Sequence, residues 1–385
     1  MSGQWISVAA ADGNGSRACL AVPEAGHGPG LVLSDETFAQ KIADFYAAEG
    51  YVVLCPEQPA SDISATMAAL RSRPECTGKI GVLGFGRGGG IAYRAAVEGG
   101  VDGAVIYYGI GIAEALDLAP RISCPVVMHF AEKDPDVPPE AIARIKEAFA
   151  DRPEVAVHVY PGTALGFDRR DGPGWNRGAA DIAHSRSIAL LRRAMGPHYD
   201  LEALWEAHTT YEFGTRDVDA TMATMVSDPY VNHIPVMTGG VGARDLARFY
   251  ANHFIPKLPK DTHLVPISRT VGADRIVDEM LFCFTHDTEI DFMLPGVPPT
   301  GRYVEVPTVA IVKFRGDKLY HEHIYWDQAS ILVQIGLLDP KGLPVAGSGT
   351  AAKLLDETRP SNTLMKRWTE SALHGGVGTA AADRR

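Results

Sequence analysis

Apolar runs and helical segments alternate along the first half of the chain. The runs GLVLS, YVVLC and KIGVLGF are each followed by a stretch in which apolar residues recur at helical spacing. The later runs VDGAVIYYG, CPVVMHFAE and VAVHVYPG continue the pattern. Such alternation predicts a parallel sheet covered by helices on both faces, and we assign it to an α/β domain at residues 1–196.

The pattern changes after a Gly-Pro break near residue 197. Three helical segments come first, at 201–212, 217–225 and 243–254. Four long strand-like segments follow, at 262–270, 275–285, 302–314 and 318–326. Helices followed by antiparallel strands predict an α+β domain at residues 200–345, in which a curved sheet wraps around helices to form a cone. Residues 346–385 are expected to form a C-terminal helix and a Gly/Ala-rich, disordered tail.

The composition fits two globular domains and excludes some partners. Of the 385 residues, 46% are apolar and 22% are charged, and the formal net charge is −11. Because the chain is acidic and has no basic run, we expect no nucleic-acid partner. No apolar run reaches the roughly 18 residues of a membrane helix, and the N-terminus lacks the features of a signal peptide. We therefore expect no membrane association and a cytoplasmic location, where the five scattered cysteines are reduced thiols.

The segment KIGVLGFGRGGGIAYRAA has the strand, tight glycine turn and helix of a nucleophile elbow. In such an elbow a Ser or Cys occupies the strained turn. The segment resembles the dienelactone hydrolase family of α/β-hydrolases, in which a Gly-Phe-Cys-x-Gly-Gly motif carries the nucleophile. The corresponding residues here are 84–89, and Gly86 occupies the position of the nucleophile.

The resemblance continues in EGYVVLCPE, IYYG and HFAEKDPDVP, and it covers about the first 195 residues. In HFAEKDPDVP, Asp134 matches the acid of the family's catalytic triad. The family's histidine lies in a Tyr-Pro-Gly-x-x-His-Gly-Phe segment, where this chain has Leu165. Acyl transfer needs an attacking oxygen or sulfur and a base, which Gly86 and Leu165 cannot supply. We therefore expect a scaffold or a ligand-binding domain rather than an ordinary esterase or lactonase.

The second domain contains the segments VNHIPVMTGG, GVPPTGRYVEV and DKLYHEHIYWDQASILVQIGLL. Through these segments it resembles the SnoaL-like polyketide cyclases of the NTF2-like superfamily. Alternation along the last strand places His321, His323, Tyr325 and Asp327 on one face and Glu322 on the other. The first of these faces therefore offers a row of titratable groups.

The resemblance implies that an Asp at the end of the last strand acts as general acid/base, and Asp327 occupies that position. It also implies that His233 hydrogen-bonds the substrate oxygen or orients Asp327, and His323 is the third catalytic candidate. Proton transfer beside a carbonyl needs a group whose pKa is brought toward neutrality, which an apolar cone achieves by desolvation. These three residues and His321 also offer donors for zinc, but the resemblance implies a metal-free domain. We predict no metal and no cofactor.

Aromatic side chains of the second domain are candidates for the wall of a substrate cavity. They are Phe282, Phe284, Tyr303, Tyr325 and Trp326, and Met293 is a further candidate for the same wall. Their flat faces suit an aromatic or polyketide-like molecule, although packing in a hydrophobic core explains them equally well.

Three functional hypotheses follow from these observations. The leading one is an acid/base enzyme of the cyclase, isomerase or dehydratase type that acts in the second domain on a small carbonyl or lactone compound. The alternative is a hydrolase of the dienelactone hydrolase (carboxymethylenebutenolidase) type that uses an unorthodox nucleophile or an activated water. The third is a non-catalytic ligand-binding protein. A homodimer is expected by analogy, because NTF2-like domains commonly pair through the open face of their sheet.

Overall fold

A computed structural model of the chain describes residues 3–9, 15–35, 39–57 and 63–373. The predicted tail beyond residue 373 lies outside these ranges. The first of two compact units comprises Met1–Asp200 and the turns Gly272–Asp274 and Arg315–Asp317. The second comprises Leu201–Val271, Arg275–Phe314 and Lys318–Arg385. We refer to these units as the first and the second domain.

The first domain contains an eight-stranded sheet in the order β1-β2-β4-β3-β5-β6-β7-β8. Its strands are β1 Gln4–Ala9, β2 Gly15–Ala21, β3 Gly28–Ser34, β4 Val52–Pro56, β5 Cys76–Phe85, β6 Gly103–Tyr107, β7 Val126–Lys133 and β8 Val155–Ala164. Strands β3 to β8 run parallel, whereas β1 and β2 add an antiparallel edge. Every residue of β3, β4 and β6 is buried, as expected for parallel strands with both faces covered.

The helices of the first domain are α1 Ala39–Ala48, α2 Ser64–Arg71, α3 Arg87–Glu98, α4 Pro139–Ala148 and α5 Arg177–Met195, with a 3₁₀ turn at Leu116–Arg121. Alternate residues of the same strand enter different core clusters. Val32 of β3 belongs to one cluster, whereas Leu31 and Leu33 belong to the other. The sheet therefore has a hydrophobic layer on each face, and the predicted α/β class is confirmed.

The second domain contains a six-stranded sheet in the order β10-β9-β14-β13-β12-β11. Its strands are β9 Met225–His233, β10 Thr238–Val241, β11 His263–Val271, β12 Arg275–Thr285, β13 Tyr303–Arg315 and β14 Lys318–Trp326. The four predicted long strands are present as β11 to β14, and the predicted α+β class is confirmed. Strands β9 and β10 were not predicted, because Asp228 and Pro229 interrupt the strand-like pattern of β9. His233 is the last residue of β9, which pairs parallel with β14.

The helices of the second domain are α6 Leu201–Thr209, α7 Val218–Ala223, α8 Ala243–Phe249, α9 Gln328–Gln334, α10 Gly349–Leu355 and α11 Lys366–Leu373. Helix α6 continues into a π-helical turn, Thr210–Thr215, and α8 continues into another, Tyr250–Phe254. Short π-helical segments occur frequently at functional sites. No helix of the described part of the chain is long and apolar enough to cross a membrane.

Candidate active site

The turn between β5 and α3 keeps the backbone of a nucleophile elbow. Gly86 has φ 56° and ψ −117°, and its N–H donates to the Tyr107 carbonyl at 2.9 Å. A Cβ atom at this position would meet nothing closer than Ile110 Cδ1, at 4.0 Å. The elbow therefore has room for a nucleophilic side chain, but the residue there is glycine.

The other two triad positions do not supply a catalytic pair. Asp134 follows β7 and accepts a hydrogen bond from the Asp136 N–H at 2.9 Å. Its second oxygen, Oδ2, is buried and has no hydrogen-bond partner among the described residues, and burial raises the pKa of the carboxyl. Leu165 follows β8 and is 40% exposed. The first domain thus has an acid without the histidine that it would orient.

A second polar group of the first domain was not predicted. Arg169 forms ion pairs with Asp35 and, at 3.5 Å, with Asp168, and its guanidinium lies over the Phe85 ring. The Tyr108 hydroxyl donates to Asp168 at 2.7 Å. Burial raises the pKa of Asp168, and the positive charge of Arg169 opposes that shift. Asp35, Asp168, Arg169 and Tyr108 thus form a partly buried network of ion pairs and hydrogen bonds.

The second domain encloses a cavity of about 50 Å³. Since about 10–15 Å³ accommodates one water molecule, this volume holds several waters or part of a small ligand. Its wall is mostly aromatic and aliphatic, and its titratable side chains are Glu212, His233, Tyr250 and Glu322. A largely apolar cavity with a few convergent polar groups is the usual form of a small-molecule site.

The last strand presents the opposite face to the cavity from the one expected. Glu322, Ile324 and Trp326 line the cavity, whereas His321 and His323 do not. The His321 and His323 rings stack on each other with centroids 4.6 Å apart. The predicted alternation along the strand is correct, but the choice of face was wrong. The cavity uses the face on which the charged residue Glu322 stands beside Ile324 and Trp326.

Asp327 lies outside the cavity wall and caps a helix. Strand β14 ends at Trp326, and Asp327 is the N-cap of α9. Its carboxylate accepts hydrogen bonds from the Ser330 N–H at 3.2 Å and the Ser330 hydroxyl at 2.5 Å. The expected placement in an apolar cone is therefore wrong, because the two-residue period of the strand no longer applies where the helix begins.

Of the predicted wall residues, Phe282, Met293 and Trp326 line the cavity. Phe284 is fully buried beside Phe282, and Tyr303 and Tyr325 are exposed to solvent. These three residues lie outside the wall of this cavity, and core packing explains Phe284.

A buried cluster of one histidine and two glutamates, which was not predicted from the sequence, adjoins the cavity. His208 Nε2 lies 3.2 Å from Glu212 Oε1 and 3.1 Å from Glu322 Oε1, and all three residues are buried. The Tyr250 hydroxyl donates to Glu322 Oε1 at 3.4 Å. Burial opposes the charged form of His208, but the two carboxylates outweigh it and raise its pKa to about 10. Burial raises the pKa of Glu212.

The sequence carried two signals of this cluster. Glu322 is the charged residue next to the apolar Ile324 and Trp326 on one face of β14. His208 and Glu212 are spaced i,i+4, so they meet on one side of a helix. The tertiary contact that joins them to Glu322 has no such local signal. Within the described ranges these three residues form the one group whose donor atoms suit a metal ion, and it shares no member with the predicted set of His233, His321, His323 and Asp327.

His233 also lines the cavity, as a buried imidazole among aromatic rings. The flanking rings are those of Phe249, Phe254, Phe292 and Trp326, with centroids 5.5 to 5.7 Å away. Its Nδ1 lies 3.2 Å from the Thr238 hydroxyl oxygen. Burial lowers the pKa of His233 to about 4, and Glu322 offsets this only in part. His233 is therefore neutral at neutral pH.

Comparisons with known proteins identify relatives of the first half of the chain. The family model described as "Dienelactone hydrolase family" matches residues 57–195. A protein of Azospirillum brasilense assigned as a carboxymethylenebutenolidase is 31% identical over 230 residues, which is 50% of this chain and 99% of that protein. The carboxymethylenebutenolidase of Pseudomonas sp. strain P51 is 28% identical over 227 residues, covering 49% of this chain and 95% of the relative.

Solved structures match over the same share of the chain. A dienelactone hydrolase-like phosphotriesterase from metagenomic libraries is 20% identical with a TM-score of 0.44, covering 51% of this chain and 100% of that one. An esterase of Pyrococcus furiosus is 17% identical with a TM-score of 0.42, covering 50% of this chain and 91% of that one. The resemblance of the second domain to SnoaL-like cyclases stays a prediction.

Proposed function

The chain belongs to the dienelactone hydrolase family through its first domain, and from this premise we propose that it is an enzyme of small-molecule metabolism whose reacting groups lie in the cavity of the second domain. The observation that carries the proposal is the cluster of His208, Glu212 and Glu322, which places two buried carboxylates at the wall of an apolar cavity. Family membership supports an enzyme of small molecules. Gly86 argues against the family's usual nucleophilic route.

The cluster suits transfer of a proton to and from a bound molecule. Burial raises the pKa of Glu212, and this makes that carboxylate a stronger base than a carboxylate in water. His208 lies behind the two carboxylates, so a positive charge on its ring stabilises the form that has given up its proton. Glu212 and Glu322 are therefore our candidates for general acid and base.

The remaining polar groups of the cavity favour a ligand that donates hydrogen bonds. The Thr238 hydroxyl donates to the Phe292 carbonyl at 2.6 Å, so its oxygen accepts from His233 Nδ1–H and leaves His233 Nε2 as an acceptor. Side-chain donors on the wall already have acceptors within the protein; they are Trp205, Thr209, Tyr250, Thr308 and Trp326. A hydroxyl or enol group of the substrate would satisfy the free acceptors.

The substrate class that follows is a small carbonyl compound of the lactone or enol type. The relatives are named for action on a carboxymethylenebutenolide, and a molecule of that class combines a carbonyl with an acidic C–H or O–H group. Removal of that proton by Glu322 or Glu212 would permit isomerisation, cyclisation or loss of water. The cyclase, isomerase and dehydratase types remain the finer alternatives within this proposal.

The test is a turnover screen of the full chain against enol lactones, including carboxymethylenebutenolide, and hydroxylated carbonyl compounds, with product analysis of each hit. Glu322→Gln removes the base but keeps the shape, so we expect turnover to fall about 10²–10⁴-fold. Asp134→Asn is the matched change in the first domain and should leave turnover within about twofold. Unchanged turnover in Glu322→Gln would refute the proposal.

A second candidate is hydrolysis of a lactone in the first domain by a water molecule that Asp134 activates. The observation that favours it is the buried Oδ2 of Asp134, which lacks a hydrogen-bond partner in the described ranges, together with the family membership. In that case the expected results are reversed: Asp134→Asn loses hydrolysis, and Glu322→Gln retains it. The same screen therefore separates the two candidates.

A further inference from the structure

The outer ring nitrogen of His208 lies beside two carboxylates and is not aligned for a hydrogen bond with either. The nitrogen, Nε2, is buried and has no hydrogen-bond partner in the described part of the chain. Glu212 Oε1 and Glu322 Oε1 lie 3.2 and 3.1 Å away. Both oxygens are near enough for a hydrogen bond, so the failure lies in direction: they sit to the side of the axis along which Nε2 directs a proton or a lone pair.

We propose that His208, Glu212 and Glu322 bind a divalent first-row transition-metal ion, with its remaining coordination positions open to the cavity. This inference rests on the proposed function, because it takes the same cavity as the working site. The three donor atoms lie within 4.8 Å of one another. Atoms bonded to one ion at about 2.0–2.2 Å lie about 3–3.5 Å apart, and the two nitrogen–oxygen distances of 3.2 and 3.1 Å fall in that range.

The opposite ring nitrogen of His208 is held in the state that a metal ligand needs. Nδ1 lies 2.6 Å from the Thr224 hydroxyl oxygen, and that hydroxyl donates its own proton to the Thr221 carbonyl at 2.6 Å. Nδ1 must therefore carry a proton and donate it to Thr224. Histidine ligands are usually oriented by such a bond from the other nitrogen, which directs the Nε2 lone pair at the metal.

The charge of the cluster also calls for a cation. Within residues 63–373 the ion-pair partner of both Glu212 and Glu322 is His208. Two buried carboxylates without positive charge are costly. A proton on Nε2 neutralises one of them, whereas a divalent ion neutralises both. On binding, the ion takes the Nε2 lone pair, and any proton on that nitrogen leaves to the solvent.

The donor set and the cavity indicate the kind of ion and its use. One imidazole and two carboxylates suit Zn²⁺, Mn²⁺, Fe²⁺ or Co²⁺ and do not suit ions that need thiolates. Three protein ligands leave at least one position free, as in catalytic metal sites. Glu212 and Glu322 line the cavity, so a carbonyl or enol oxygen of a bound substrate can reach that position. The ion would polarise this oxygen.

Metal binding by the untagged full-length chain tests the inference without any substrate. After removal of metals with a chelator, the protein is dialysed against Zn²⁺, Mn²⁺ or Co²⁺, and bound metal is measured by mass spectrometry. We expect about one ion per chain. We also expect the Co²⁺-bound protein to absorb visible light strongly, as is typical of Co²⁺ with a low coordination number. Absence of stoichiometric binding for all three ions would overturn the inference.

Substitutions locate the site. His208→Gln and Glu322→Gln should each weaken binding at least about 100-fold, and Thr224→Val about 10–100-fold with recovery in Thr224→Ser. The control is His253→Gln. His253 also pairs with a carboxylate of the same domain, that of Asp291, but it is half-exposed and is not part of the proposed metal site. Binding as tight as wild type in both His208→Gln and Glu322→Gln would overturn the assignment.

The two proposals fail in different ways. If the wild type binds no metal but turnover still depends on Glu322, the metal inference falls and the proposed function stands. If metal binds and requires His208, but turnover is unchanged in Glu322→Gln, the metal site stands and the proposed function falls.

Discussion

Both domains bury carboxylates close to a position where chemistry is expected, but their surroundings differ. In the first domain Asp134 keeps its place after β7, while Gly86 and Leu165 stand where its partners would be. In the second domain Glu212 and Glu322 keep a charged partner, His208, and face a cavity. A retained fold position is therefore weaker evidence of activity than a buried charge that still has its partner and an open space beside it.

Two buried histidines of the second domain repeat this contrast on a smaller scale. His208 and His233 each direct Nδ1 at a threonine hydroxyl, Thr224 and Thr238 respectively. The pKa of His208 is raised to about 10 because two carboxylates lie close to its outer nitrogen, despite its burial. The pKa of His233 is lowered to about 4 because it is buried among aromatic rings. The same anchoring thus gives a positive group in one case and a neutral acceptor in the other.

The largest effect on stability is expected from His208→Leu, which leaves two buried carboxylates without a cation. Breaking such a pair costs about 3–5 kcal/mol. The free energy of unfolding is measured by urea denaturation in the presence of a chelator. His253→Leu is the control, since that histidine is half-exposed, and it should cost less than about 1 kcal/mol. A cost for His208→Leu no greater than that of the control would contradict the assigned charge pairing.

The opposite pKa shifts predict opposite pH dependence in the chelator-treated protein. The folded pKa of His208 is raised from 6.5 to about 10, so its contribution is complete below pH 6.5 and is lost as the pH rises toward 10. The folded pKa of His233 is lowered from 6.5 to about 4, so its contribution is complete above pH 6.5 and is lost as the pH falls toward 4.

The free energy of unfolding as a function of pH checks this pair of shifts. Between pH 6.5 and 10, the free energy of unfolding should fall less in His208→Gln than in the wild type. Between pH 6.5 and 4, it should fall less in His233→Gln than in the wild type. Parallel curves for the wild type and either variant would show that the histidine concerned does not titrate differently in the folded state.

Gly86→Ser tests whether the first domain lacks more than its nucleophile. A side chain fits the elbow sterically, but φ of 56° strains any residue other than glycine, at a cost of about 1–3 kcal/mol. Since Leu165 leaves the serine without a base, we expect no gain of ester or lactone hydrolysis. Hydrolysis by Gly86→Ser above the wild-type rate would mean that another residue supplies the base.

The smallest effect is expected from Asp327. Loss of the helix cap in Asp327→Ala should cost about 0.5–2 kcal/mol, whereas Asp327→Asn keeps an acceptor for the Ser330 N–H and should cost a few tenths. Turnover should be unaffected in Asp327→Asn. A large loss of turnover in that variant, with stability unchanged, would favour Asp327 as the general acid/base instead.

The fold could be predicted from the sequence because it depends on local periodicity. Apolar runs such as those of β3 to β6 alternate with amphipathic helices, and the long strands β11 to β14 are bounded by turns. Strand β9 escaped prediction because Asp228 and Pro229 break its pattern and its pairing with β14 is non-local. Such pairing is set by tertiary structure rather than by propensity.

The site was harder to predict because it joins distant parts of the chain. Three elements carry its residues: His208 ends a helix, Glu212 lies in the following π-helical turn, and Glu322 lies on a strand more than a hundred residues later. Alternation along β14 was predicted correctly, but the row of titratable groups was chosen as the cavity face instead of the face that carries Glu322, Ile324 and Trp326. A lone buried charge is expensive, so Glu322 was the more informative residue.

Blocking the cavity tests the central claim most directly. Ala310 lines the cavity, and Ala351 is a buried alanine of the same domain that does not. Leucine at either position overpacks the domain at a similar cost of about 1–3 kcal/mol, but only Ala310→Leu fills the cavity without altering a charge. Turnover of the substrate found in the screen is compared between these two variants. Our account predicts that Ala310→Leu loses turnover and Ala351→Leu retains it; equal turnover in the two variants would contradict it.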